Sequence, residues 1–193
     1  MNPHLFIGGV FALALTLPAQ ALVWDEGIDG DLSDNNLAPT PLTLDVGVNL
    51  IAGTMGKPPS LPLDRDIFTF TLPAGFSLTS IAVVSISPVH NSFYAIAAGT
   101  SINTGNAATH LSNALIGGPG EYLDDLAIAP QFGGTGLTSP VGPGTYTVWF
   151  QETAAQRNYQ MAYTVVPEPG TTFSLLGGAA MLLHLRRRRN RRA

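Results

Sequence analysis

Alternation with period two runs through the centre of the chain. In Ile67-Phe68-Thr69-Phe70-Thr71-Leu72, residues Phe68, Phe70 and Leu72 fall on one face and Thr69 and Thr71 on the other, the pattern of a half-buried strand. After the turn residues Pro73-Ala74-Gly75, the β-branched run 78–86 predicts a second strand. Segments 146–151 and 159–165 predict a closing pair, opened by Gly142-Pro143-Gly144 and Arg157-Asn158 respectively. Weaker strands are expected at 42–46, 48–54, 93–98 and 111–116, and 122–129 reads as a short helix or turn. Short strands joined by brief Gly/Pro connections predict an all-β fold, an antiparallel β-sandwich or jelly-roll-like domain.

The two ends break this pattern. Residues 5–17 (LFIGGVFALALTL) form an apolar run of 13, shorter than the roughly 20 residues of a helical membrane span. Pro18 and the small-x-small triplet Ala19-Gln20-Ala21 follow, so residues 1–21 are expected to be a signal peptide, a signal helix cut by signal peptidase after Ala21. The n-region Met1-Asn2-Pro3-His4 lacks Lys and Arg, so this assignment rests on the apolar run and the cleavage pattern. At the other end, Val166-Pro167-Glu168-Pro169-Gly170 leads into the apolar stretch 171–185 and then Arg186, Arg187, Arg188, Arg189, Arg191 and Arg192. Arginines of this kind stay on the cytoplasmic side of a membrane. An exported chain would therefore stop with a short hydrophobic helix in the inner membrane and its body outside. The expected organisation is a signal peptide at 1–21, an exported domain at 22–166 and a sorting segment at 167–193.

The tail resembles the PEP-CTERM sorting signal: a literal Pro167-Glu168-Pro169 followed by Gly170, a short hydrophobic helix and a terminal Arg cluster, in that order. The resemblance implies recognition by an exosortase, a membrane cysteine protease that removes the tail at or near the motif. It also implies a Gram-negative-type producer, often one making extracellular polysaccharide, and hence a cell-surface, extracellular-matrix or biofilm setting. Pro167 and Pro169 lack N–H donors and restrict φ, which suits a segment presented extended to a protease.

Charge sharpens the picture. The 193 residues carry nine Lys and Arg against 13 Asp and Glu, but most of the bases lie in the Arg tail. The body, 22–166, keeps only Lys57, Arg65 and Arg157. Such an acidic domain repels phosphate and anionic lipid, so nucleic acid is not an expected partner, whereas cations and neutral sugars are compatible. The chain has no Cys, which excludes a disulfide scaffold and thiolate metal sites.

Further short motifs run through the body: Trp24-Asp25-Glu26, Gly30-Asp31-Leu32-Ser33, Pro41-Leu42-Thr43-Leu44, Gly47-Val48-Asn49, Gly53-Thr54, Asp64-Arg65-Asp66-Ile67-Phe68-Thr69-Phe70, Pro73-Ala74-Gly75 and Gly144-Thr145-Tyr146. Together they resemble the pre-peptidase C-terminal type of β-sandwich. That resemblance implies a sandwich fold and an extracellular accessory role without a catalytic centre.

Candidate chemistry concentrates in the acidic stretch Asp25, Glu26, Asp29, Asp31 and Asp34. Calcium takes six to eight oxygens from carboxylates and carbonyls on flexible loops. An EF-hand is rejected, because the twelfth position counted from Asp25 is Asn36, and from Asp29 it is Thr40. Two readings stand: the acids are solvated turn formers in a Gly-rich loop, or Asp25, Asp29, Asp31 and Asp34, joined by Asp64 and Asp66, hold a structural calcium. His90 and His110 have no zinc spacing, and no Gly-x-Ser-x-Gly elbow or phosphate loop is present. Trp149, with Tyr146 nearby, reads either as core or as an aromatic platform for sugar rings. The expectation is a non-enzymatic exported protein of the cell surface or matrix. The alternative is a secreted polysaccharide-binding module using that platform.

Overall fold

A computed structural model describes residues 20–59 and 62–168. Both the apolar run at 5–17 and the tail from Pro169 onward therefore lie outside the described residues. Among the described residues, no helix is long and apolar enough to cross a membrane.

Ten strands form two five-stranded sheets that pack as a sandwich. One sheet holds β1 (Gln20–Asp25), β3 (Gly47–Met55), β10 (Arg157–Pro167), β5 (Phe76–Ser87) and β8 (Gly120–Glu121), in that order. The other holds β2 (Thr40–Pro41), β4 (Arg65–Leu72), β9 (Gly144–Gln151), β6 (Ser92–Ala98) and β7 (Ser112–Ile116). Two short α-helices, α1 (Glu26–Asp29) and α2 (Leu123–Ile128), and one 3-10 turn at Ala107–Thr109 complete the elements among the described residues. Seven of the expected strands reappear with their ends moved by a few residues, and 122–129 is a short helix over Leu123–Ile128. The expected strand at 42–46 is instead the two-residue β2, after which the Leu42 N–H donates to the Thr69 carbonyl.

Both sheets are mixed. Most pairings are antiparallel, but β1 runs parallel to β3 and β2 parallel to β4. The chain passes from β1 in one sheet to β2 in the other before returning to β3, and each N-terminal strand arrives at an edge in the direction of its neighbour.

Alternation dictates what is buried. Phe68, Phe70 and Leu72 on β4 pack inward, as do Val148 and Phe150 on β9 and Tyr159, Met161 and Tyr163 on β10. Thr71 is left exposed. Phe68 and Phe70 contact the Tyr163 ring at centroid separations of 5.8 and 6.0 Å. The Tyr94 and Tyr163 hydroxyls meet at 3.2 Å in the centre of the core, where burial pushes both well above the usual phenol range. The outer face of the second sheet is covered too. Ile67, Ala95, Ala97, Ile102 and Trp149 form a second apolar cluster there, with Phe93 against it.

Candidate functional site

The acidic stretch folds back on itself before it faces the body. Asp25 caps α1, its Oδ1 accepting the Gly27 N–H at 2.9 Å, and Asp29 Oδ2 accepts the Asp25 N–H at 2.9 Å. Gly30 follows at φ +93°, a left-handed conformation that glycine adopts freely. The Trp24 indole N–H donates to the Gly30 carbonyl at 3.0 Å and fastens the turn to β1. Asp25 and Asp29 thus serve the local turn, which corrects their expected place among the cation ligands.

Glu26 takes the position those two do not. Its Oε2 accepts the Thr54 N–H at 2.6 Å, and its Oε1 accepts the Leu32 N–H at 3.1 Å. These bonds bring its carboxylate beside Asp31 and Asp66, and one oxygen from each of the three lies within 4.8 Å of the others. Asp34 and Asp64 complete the surroundings. Glu26, Asp31, Asp34, Thr54, Pro58, Pro62, Asp64 and Gln156 line a cavity of about 410 Å³. Asp34 Oδ1 also accepts the Arg65 N–H at 2.6 Å, which ties the N-terminal segment to the start of β4.

Asp66 is the exceptional member. On β4 it shares the inward face with Phe68 and Phe70, so alternation carries a carboxylate into the end of the core. It is 0% exposed, and neither carboxylate oxygen has a hydrogen-bond partner. The Tyr159 hydroxyl is adjacent but outside hydrogen-bond geometry, and it is likewise buried without a partner.

Electrostatics follow from this crowding. Burial pushes Asp66 well above the usual carboxylate range, and Glu26 adds to the effect. Asp64 is pushed up to about 7, by burial first and then by Asp31, Glu26 and Asp34. Glu26 is raised by burial and by Asp31, against the hydrogen bonds from Thr54 and Leu32. Asp31 is raised by burial and by Asp34. No base relieves them. The Arg65 guanidinium turns away to Gln151 Oε1 at 2.8 Å, and the only ion pair among the described residues is His90–Glu152, at 2.6 Å. A buried carboxylate without a partner is expensive, and several in one pocket more so. An oxygen-rich, base-free pocket of this kind matches what a hard divalent cation requires.

The other sequence candidates separate. Trp149 is only 8% exposed: Phe93 packs at 4.8 Å and His110 edge-on at 6.2 Å. Tyr146 packs on Phe70 at 5.8 Å and donates its hydroxyl to the Gly142 carbonyl at 2.9 Å. The two rings therefore form no exposed platform, a correction to the sugar-stacking alternative. His110 is buried, with Nε2 2.7 Å from the Asn103 carbonyl. Of the sorting motif, Pro167 ends β10, and the Glu168 N–H donates to the Gly75 carbonyl at 2.8 Å. Pro169, Gly170 and the arginines lie outside the described residues, as does Ala19, whereas Ala21 pairs with Asn49 on β1.

Fold and pocket together define a mixed β-sandwich with an unpaired acidic cavity at one end. No known family profile matches the chain, and no curated protein matches it in sequence. Among solved structures, it is similar to PliG of Aeromonas hydrophila, a periplasmic lysozyme inhibitor of g-type lysozyme. That match has 12% identity and a TM-score of 0.39, and covers 66% of this chain and 96% of the other.

Proposed function

We propose that this chain is an exported, non-enzymatic β-sandwich protein of the cell surface or extracellular matrix, whose acidic cavity holds a divalent cation such as calcium. In this reading, signal peptidase trims the N-terminus. The C-terminal segment anchors the chain transiently in the inner membrane until an exosortase removes it. The apolar run at 5–17, the literal Pro167-Glu168-Pro169 and the Arg cluster support the route.

The observation that carries the cation is Asp66, fully buried with both oxygens unpartnered and within reach of Glu26 and Asp31. The two halves of the reading support each other. Extracellular modules bind calcium at about 10⁻⁴–10⁻³ M, an affinity that leaves the site empty in cytosol and fills it outside. Bound there, the cation would join the N-terminal segment (Glu26, Asp31, Asp34) to β4 (Asp66) and its approach (Asp64). Calorimetric titration of the exported protein with calcium, after treatment with chelator, tests this. One site and a raised thermal midpoint are expected; no heat and an unmoved midpoint reject the cation.

A further inference from the structure

We infer that the proposed exosortase cut falls on the C-terminal side of Glu168, so that the released protein keeps β10 whole. This rests on the processing reading above and adds the position of the bond. β10 is an interior strand with β3 on one side and β5 on the other. Val165 pairs with Gly47 and with Leu78, Val166 with Ser77, and Pro167 with Phe76. One residue further, the Glu168 N–H is bonded to the Gly75 carbonyl. Val165 is only 2% exposed and belongs to the core.

A protease that reads an extended segment needs the backbone groups flanking the scissile bond for itself. From Val166 to the Glu168 N–H, β5 has already taken those that face it, whereas β3 reaches only as far as Val165. Presenting Val166–Pro167 or Pro167–Glu168 would mean lifting the end of β10 away from β5. The first peptide bond beyond this hydrogen bonding is Glu168–Pro169.

The N-terminal cut is under no such constraint. β1 is an edge strand with β3 as its only neighbour, and removing Gln20 and Ala21 leaves the Leu22, Trp24 and Asp25 pairings intact. Both processing points lie at one pole, since Gln20 and Thr164 each pair with Val48. The acidic cavity lies at the other pole, where Glu26 meets Thr54, roughly 23 Å along β3 from Gly47 at 3.3 Å per residue. Pro169 and Gly170 alone separate Glu168 from the apolar stretch beginning at Thr171, a reach of about 11 Å at most. The anchored domain is therefore held close to the bilayer by its processing pole, with the carboxylates at the far end, clear of anionic lipid.

Intact-mass measurement of the product released by the producing cells, with sequencing of its C-terminal peptide, tests the inference. The expected product lacks the Arg cluster and ends at Glu168 or later. A trimmed product ending at Pro167 or earlier overturns this inference and leaves the processing reading standing. An untrimmed C-terminus overturns both. Hydrogen exchange on the same product supplies an independent check. The Glu168 amide should exchange at least about tenfold more slowly than in an unstructured peptide, and exchange at the unstructured rate overturns the inference.

Discussion

The Glu26 carboxylate lies directly against Gly53. A Cβ placed on Gly53 would come 2.7 Å from Glu26 Cδ, 2.9 Å from Oε2 and 3.0 Å from Oε1. Gly53 lies in β3, opposite Tyr159, in a conformation any residue adopts. The absent side chain there makes room for the acid.

Gly53→Ala is therefore expected to leave the sheet intact and to move Glu26. The displaced carboxylate gives up its bonds from Leu32 and Thr54 and leaves the reach of Asp31 and Asp66. Calcium affinity should fall by about tenfold or more, or ~1.4 kcal/mol, by calorimetry. Unchanged affinity would show that Glu26 is not a ligand.

Asp66→Asn separates the two faces of a buried charge. Without cation at neutral pH, the neutral amide removes the cost of holding several carboxylates together, so the thermal midpoint should rise. With calcium in excess, the variant should show none of the stabilisation seen in the unmodified protein. A variant less stable without cation, yet still responsive to calcium, contradicts both statements.

The sheet was largely legible because period two and turn residues agree, as at Phe68, Phe70 and Leu72 ahead of Pro73-Ala74-Gly75. β1 was not, since the expected signal cleavage after Ala21 falls inside it and its partners lie some 28 positions further along the chain. Local sequence does not encode which remote strand an edge segment joins, nor that it joins in parallel. In the site, Asp66 did carry a signal: it is in phase with Phe68 and Phe70, so any register that buried those rings buried it too. Glu26 had a weaker one in Gly53, a glycine inside an alternating strand that marks a close approach. Asp25 and Asp29 looked equivalent to Asp31 and Asp34 until α1 turned them back onto its own backbone.

The pH dependence of the cation-free protein has a definite sign. Asp64 has a folded value of about 7 against an ordinary 3.8, so the native state binds the proton more tightly than the unfolded chain. Its stabilising contribution is present at low pH and is lost as pH rises through the interval from 3.8 to about 7. Asp66, Glu26 and Asp31 are shifted in the same direction. Glu152 opposes them at the acid end. Burial works upward on it, but the bonds from the Ala154 N–H and His90 prevail and hold it low, so its contribution is lost on acidification. Thermal midpoints in chelator should fall between pH 4 and 7, and saturating calcium should abolish the fall. A midpoint in chelator that climbs across this interval would contradict the assignment.

Trp149 gives the contrast between packing and recognition. Its ring fills the cluster of Ile67, Ala95, Ala97 and Ile102, and its Nε1 is buried without a hydrogen-bond partner. Trp149→Ala should cost about 3–5 kcal/mol, as for other large-to-small core changes. Trp149→Phe keeps much of the apolar contact and removes an unsatisfied donor, so it should cost well under half of that. Denaturant titration of both variants measures the difference. Binding to neutral polysaccharide, assayed on the same samples under folding conditions, should not track ring size. A loss of polysaccharide affinity in the stable Phe variant would mean the indole reaches a ligand, which its 8% exposure and its contacts with Phe93 and His110 argue against.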